Sequence, residues 1–207
     1  MSNLEQAAKA LAGNGFSVQV HPDRARAVQA ILEEIPEKVS IGRSGSVTCT
    51  DLGLYDRLVH RGNPLIDPYQ PHYTPEEKDA ARKRAQHADI MLTGTNALTL
   101  DGKLVNIDGV GNRVSAQIFG PGKVIIVAGR NKVTEDVHLA IRRIKTVSCP
   151  QNARRLKLET PCGCGHSCPK PDGCRSPQRM CNVLVIIERQ PRLTPISIHL
   201  IDEDIGY

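Results

Sequence analysis

The residues best equipped for chemistry lie in one stretch, Thr93–Val114, TGTNALTLDGKLVNIDGVGNRV. It places Thr93, Thr95, Asn96, Thr99, Asp101, Asn106, Asp108, Asn112 and Arg113 among the glycines Gly94, Gly102, Gly109 and Gly111. Glycine lets the backbone take positive φ or approach a ligand closely. Asn and Asp supply donors and acceptors, and Arg113 adds a fixed cationic fork. The stretch is too long and too polar for a plain connector. It reads as a pocket wall for a small anionic ligand, with Thr93, Gly94, Thr95, Asn96, Asn112 and Arg113 in contact with it and Asp108 as the candidate acid or base. Asp101 and Gly102 have a simpler explanation as a hairpin turn.

A second set lies in Ile41-Gly42-Arg43-Ser44-Gly45-Ser46. Gly42, Ser44, Gly45 and Ser46 follow a short apolar strand and lead into a helix, where backbone N–H groups can face an anion. The turn lacks the GK[ST] ending of a phosphate-binding P-loop and is not a GxGxxG fingerprint.

The third set is sulfur. Of seven cysteines, Cys162, Cys164, Cys168, Cys174 and Cys181 fall within twenty residues, with His166 among them as a spare ligand. Thiolates are soft ligands that select zinc, copper(I) or iron–sulfur. The spacing is neither the paired CxxC of structural zinc nor the ferredoxin run. The uneven, Gly- and Pro-loosened spacing suits a [4Fe–4S] cluster wrapped by one loop, with zinc as the alternative. Free thiols or one disulfide would be the plain explanation. Cys49 and Cys149 stand apart and read as small buried residues.

These groups need a scaffold. The chain has 207 residues, 40% hydrophobic, with only two Phe, four Tyr and no Trp. A core of Val, Ile, Leu and Ala suits a buried parallel sheet between helices. Helix and strand patterns alternate from the start: a helix over Asn3–Leu11, a strand over Phe16–Val20, a helix from Asp23 through Ile35, a strand over Lys38–Ile41. A helix over Thr50–His60 and a brief strand over Pro64–Asp67 follow. Thr74-Pro75-Glu76-Glu77 is a capping box that opens the next helix. Strands over Asp89–Leu92 and Lys123–Ala128 flank the polar stretch, and a helix capped by Asn112 runs to Phe119. Thr134 caps a further helix. The fold class is α/β, an open, mostly parallel sheet with helices on both faces. Residues 1–158 form this domain, and residues 159–207 add the Cys-rich loop and two strands, Asn182–Glu188 and Ile196–Ile201, read as an antiparallel pair.

Several functions are disfavoured. A net charge of +5 is mildly basic and favours anionic ligands. Nucleic-acid binding is not expected, because aromatics to interleave with the basic residues are scarce. No run approaches the ~18 apolar residues of a membrane span. MSNLEQAAKALAGNG has no apolar signal core, so a cytoplasmic location is expected.

The stretch TGTNALTLDGKLVNIDGVGNRVSAQIFGPGKVIIVAGRNKV resembles the central signature of the LUD-domain family, that of lactate-utilisation protein C. VSIGRSGSV and TPCGCGHSCPKPDGCRSPQRMCNV resemble a subgroup of small, single-domain members with a C-terminal cysteine cluster. The resemblance implies the fold shared by ribose-5-phosphate isomerase and CoA-transferase domains. It implies Cys162, Cys168, Cys174 and Cys181 as the ligands of an iron–sulfur cluster. It also implies a component of lactate or organic-acid utilisation, with iron–sulfur or flavin redox partner proteins and an oligomeric state open to test. The alternative is a non-catalytic accessory or redox-sensing protein.

Overall fold

The structure, a computed structural model, describes residues 1–165, 168 and 174–207. Its organising strand is the apolar run KVIIVAG, Lys123–Gly129 (β7 in chain order). Successive side chains of a strand point to opposite faces. Val124, Ile126 and Ala128 join a core with Leu4, Ala7 and Leu11 of helix α1 (Asn3–Gly13) and Ala85 of α5 (Pro75–Ala85). Ile125 and Val127 join the opposite core with Ala27 and Ile31 of α2 (Arg24–Glu34) and Leu54 and Leu58 of α4 (Leu54–His60). A strand apolar on both faces requires helices on both faces, and that layering is present.

The main sheet contains β1 (Ser17–His21), β2 (Ile41–Arg43), β3 (Leu65–Ile66), β4 (Ile90–Gly94), β7 and β10 (Ile196–Ile201). Their order is β1-β10-β7-β4-β2-β3, and every neighbouring pair is parallel. A smaller sheet follows β4. It has the order β8-β5-β6-β9, built from β5 (Ala97–Thr99), β6 (Leu104–Asp108), β8 (Val133–Thr134) and β9 (Val183–Ile187). Helix α7 (Val137–Arg143), through Ala140, packs on this sheet at Ala97, Val105 and Ile107. The other helices are α3 (Val47–Asp51), α6 (Asn112–Ile118) and α8 (Cys149–Arg155).

Local sequence accounts for most helix starts. Ser2 with Glu5 and Thr74 with Glu77 form capping boxes, and Asp23 caps α2. Two caps differ from expectation. Gly111, at φ +97°, precedes α6, so Asn112 is its first helical residue rather than its cap. Asp136 caps α7 by accepting from Leu139 N at 2.8 Å, because Thr134 is held in β8. The helix expected over Thr50–His60 is two helices, divided at Gly53, φ +62°.

The two C-terminal strands do not pair with each other. All six residues of β10 are buried, so it takes an interior place between β1 and β7, whereas β9 pairs antiparallel with β6 at the edge of the small sheet. The tail is thus built into both sheets. Across the seam of β1 and β10, His21 Nε2 lies 2.9 Å from His199 Nδ1, and His199 Nε2 lies 2.9 Å from Glu34 Oε2. Lys123 closes on the same carboxylate at 3.0 Å. Hydrogen bonds from His199 and Lys123 outweigh burial and hold Glu34 down at about 2. These histidines tie α2 to the sheet.

Candidate functional site

Because the strands are parallel, the C-terminal ends of β2, β4 and β7 open on the same side. From β2 the chain runs outward to β3. From adjacent β4 it runs the other way, through the small sheet and α6, to β7. Such a reversal leaves a crevice between neighbouring strand ends, where open α/β sheets receive ligands. A cavity of about 470 Å³ lies there, walled also by α6 and α8. It is the size of a pocket for a small metabolite.

Of the residues expected to meet a ligand, Gly45, Ser46, Gly94, Thr95, Asn96, Asn112 and Arg113 line this cavity, as does Asp108. Gly42, Ser44 and Thr93 do not. A Cβ at Gly42 would lie 2.8 Å from Ala85 O, so this glycine allows α5 to pack on β2. Ser44 Oγ donates to Thr93 Oγ1 at 2.6 Å and both are fully buried, cross-linking the ends of β2 and β4 behind the wall.

Arg113 and Asp108 also differ in character from expectation. Arg113 Nε donates to Asp108 Oδ2 at 3.1 Å. Its Nη1 reaches Asn106 Oδ1 at 2.6 Å and Gly94 O at 3.4 Å, and its Nη2 reaches Asn96 Oδ1 and Ile107 O, each at 2.8 Å. Guanidinium has five N–H donors, and these contacts engage all five. Asp108 Oδ1 accepts from Val110 N at 3.1 Å and Gly111 N at 2.7 Å. The pair is a girder that shapes the loop between β6 and α6. Behind it, buried Asn106 accepts from Thr95 Oγ1 and Asn96 N, and donates to Gln117 Oε1 at 3.0 Å. The polar density of Thr93–Val114 therefore holds the wall together and also presents one face of it to the cavity.

The side chains with charge to offer come largely from elsewhere. Arg43, at the end of β2, pairs with Asp67 at 2.9 Å and lies over the rings of Tyr55 and Tyr69, 4.6 and 5.7 Å from their centroids. Half-buried Arg82 comes from α5, and Arg155 reaches from α8, held by Tyr207 Oη at 2.8 Å. Lys132 sits on the 3₁₀ turn Arg130–Lys132 directly after β7 and is only 3% exposed. Its Nζ donates to Thr48 Oγ1 at 2.7 Å. Burial, then the neighbouring Arg143, hold its ammonium down at about 7. Position alone could have flagged Lys132 and Arg43, since each lies at or just past the end of an apolar strand. Arg82 and Arg155 carry no such signal, being helix residues of ordinary appearance. Cys49 is fully buried, donates to Thr93 O at 3.4 Å and is pushed up to about 11 by burial, as a small core residue.

The sulfur set changes membership. Cys162, Cys168, Cys174 and Cys181 line a common space, and Cys149 of α8 joins them, its Sγ 3.3 Å from that of Cys181. Cys149 is thus not an isolated buried residue. Cys164 is exposed and does not line the space, and His166 lies outside the described residues. Contact with Cys149 holds the Cys181 thiol down, while contact with Cys181 and burial push the Cys149 thiol up. The donor set, thiols beside Lys145 and Arg179, suits a thiophilic metal or cluster. The spacing is not that of a closed site: the space measures about 20 Å³, and among the described residues no three His, Cys, Asp or Glu side chains are placed to hold one ion. Cys149 and Met180 belong to both walls, so the thiol-lined space abuts the polar cavity.

The fold and cavity together define an α/β protein with an all-parallel sheet and a cation-rich pocket at a topological switch point. The LUD-domain pattern matches residues 4–201, and the chain belongs to the LUD-domain family. The crystal structure of a DUF162 family protein from Deinococcus radiodurans has the same fold, with a TM-score of 0.54 at 14% identity over 97% of this chain and 99% of that one. Among proteins of curated function, none matches this chain. None of the helices among the described residues is long and apolar enough to cross a membrane.

Proposed function

We propose that this LUD-domain protein serves organic-acid utilisation by binding a small anionic metabolite in the cavity at the ends of β2, β4 and β7. The observation that carries the reading is the charge of the lining. Arg43, Arg82, Arg113, Lys132 and Arg155 line it with two carboxylates, Asp51 and Asp108; Arg113 pairs with Asp108 and Arg43 with Asp67 behind the wall, which leaves Arg82 and Arg155 against Asp51 even with Lys132 neutral. The remaining excess is cationic in a partly enclosed space, where charge acts more strongly than in bulk water. Gly45, Ser46, Gly94 and Thr95 line the same cavity and would let backbone N–H groups approach an anion. Arg82 is the most informative residue to test, since no hydrogen bond or ion pair with a described residue holds it. Calorimetric titration of the full chain with pyruvate, lactate and inorganic phosphate should find a binder among them. Arg82→Gln should weaken that binding about tenfold, ~1.4 kcal/mol, with an unchanged melting temperature. Absence of binding to all three at millimolar concentration would overturn the reading.

A second reading concerns the thiols. Five cysteines from two chain segments converge on one space beside the cavity, which favours a [4Fe–4S] cluster or zinc held there, with electron exchange toward iron–sulfur or flavin partner proteins in the cluster case. Closure of such a site requires the thiols to draw together around the metal. Protein purified without oxygen should contain iron and sulfide, roughly four of each per chain. Cys181→Ser should lose them and Cys164→Ser should keep them. Zinc instead would leave the accessory or sensing role, and no metal would leave loose thiols.

A further inference from the structure

We propose that Lys132 is a nucleophilic amine that captures the carbonyl group of a small 2-oxo acid, or a similar carbonyl-bearing anion, as a reversible imine. The inference rests on the cavity being a small-anion site and adds a covalent step to it. Three features of the geometry carry it. Lys132 is 3% exposed, yet it is among the residues that line the cavity, as is Thr48, which its Nζ meets. Its hydrogen-bond partner is neutral: Thr48 Oγ1 at 2.7 Å takes one of three ammonium donors, and no carboxylate among the described residues pairs with it. The cations Arg143 and Arg113 disfavour its charged form, and the Cys49 thiol and Asp51 act the other way.

A buried lysine that only had to carry positive charge would be stabilised by a carboxylate partner. Here the surroundings favour the neutral amine, the nucleophilic form. The ordinary lysine value near 10.4 would leave very little of it at neutral pH, whereas desolvation lowers Lys132 to about 7. The lining of the same cavity includes Arg82, a cation suited to hold the carboxylate of the incoming acid.

The step balances without a further reactant. The Nζ lone pair attacks the carbonyl carbon. The nitrogen gives up its two protons, the carbonyl oxygen takes up two and leaves as water, and a C=N bond replaces C=O. Lactate, with a hydroxyl in place of the carbonyl, can occupy the cavity and cannot form the imine.

The test is borohydride trapping on the full chain with pyruvate, read by peptide mass spectrometry. A reduced adduct should appear on the peptide carrying Lys132, should be suppressed by excess lactate, and should be absent in Lys132→Met. Trapping should rise with pH through about 7 rather than near 10, which reads the wild-type protein and stands even if the variant folds poorly. Calorimetric binding of pyruvate with no adduct at Lys132, or with adducts spread over surface lysines, would overturn the imine and leave the binding site intact. Binding of lactate or phosphate without pyruvate would overturn the imine alone, and binding of none of the three would remove the site and the imine with it.

Discussion

Arg113→Ala should lower the melting temperature by on the order of 10 °C. The guanidinium spends all of its donors inside the protein, on Asp108, Asn106, Asn96 and the carbonyls of Gly94 and Ile107. Both members of the Arg113–Asp108 pair are nearly buried, at 13% and 11% side-chain exposure. Removing one partner of a buried pair costs about 3–5 kcal/mol, because the other charge is left uncompensated. In a chain of this length each kcal/mol moves the melting temperature by about 2–4 °C. Arg113→Lys should not restore it, since a point charge with three donors cannot span acceptors arranged for a planar fork. Thermal unfolding followed by circular dichroism decides the matter. An unchanged melting temperature would mean that the girder contributes little, and Arg113 would then be available to a ligand.

Gly102→Ala should produce the second large loss, about 3 kcal/mol or more. Gly102 ends the turn between β5 and β6 at φ +83°, where an L side chain costs about 1–2 kcal/mol. The steric term adds to that. A Cβ there would lie 2.5 Å from Ala10 C and 2.7 Å from Ala10 O, so the turn presses directly on the backbone of α1. Neither side can yield as a flexible side chain would, and overpacking of this kind costs about 1–3 kcal/mol. Asn14 Nδ2 fastens the same contact by donating to Asp101 O at 3.1 Å and Gly102 O at 2.9 Å. Hydrogen exchange should therefore show α1 loosening first, ahead of the sheet. Gly13→Ala, where an added Cβ meets nothing within 4 Å, is the control and should be tolerated. Equal protection of α1 in Gly102→Ala and wild type would show that the turn and helix do not bear on one another.

The sequence by itself determined the layers of this protein. Apolar residues on both sides of KVIIVA, helix-period faces in α1 and α2, and the Asp23 and Thr74 helix starts act within a few residues of each other, so they are legible without a third dimension. The Asp101-Gly102 turn is legible for the same reason: positive φ is a local demand. The polar stretch Thr93–Val114 was visible as a place where function could lie, and its segment Gly94–Asn96 with Asp108, Asn112 and Arg113 does reach the cavity.

Only the tertiary structure decided what each of those residues does there. Arg113 and Asp108 have the composition of a binding site, yet partners up to nineteen positions away take up their hydrogen-bonding capacity. Ser44 and Thr93 look like ligand groups until their buried mutual hydrogen bond is seen. Lys132 looks like a surface turn residue until the helices close over it, because desolvation is a property of everything packed around a charge and not of its neighbours in the chain. Cys149 joins Cys181 across 32 residues for a similar reason. The place of β10 followed the same rule: its six residues are buried on both sides only once β1 and β7 flank it, and strand order depends on long-range pairing that no local pattern encodes.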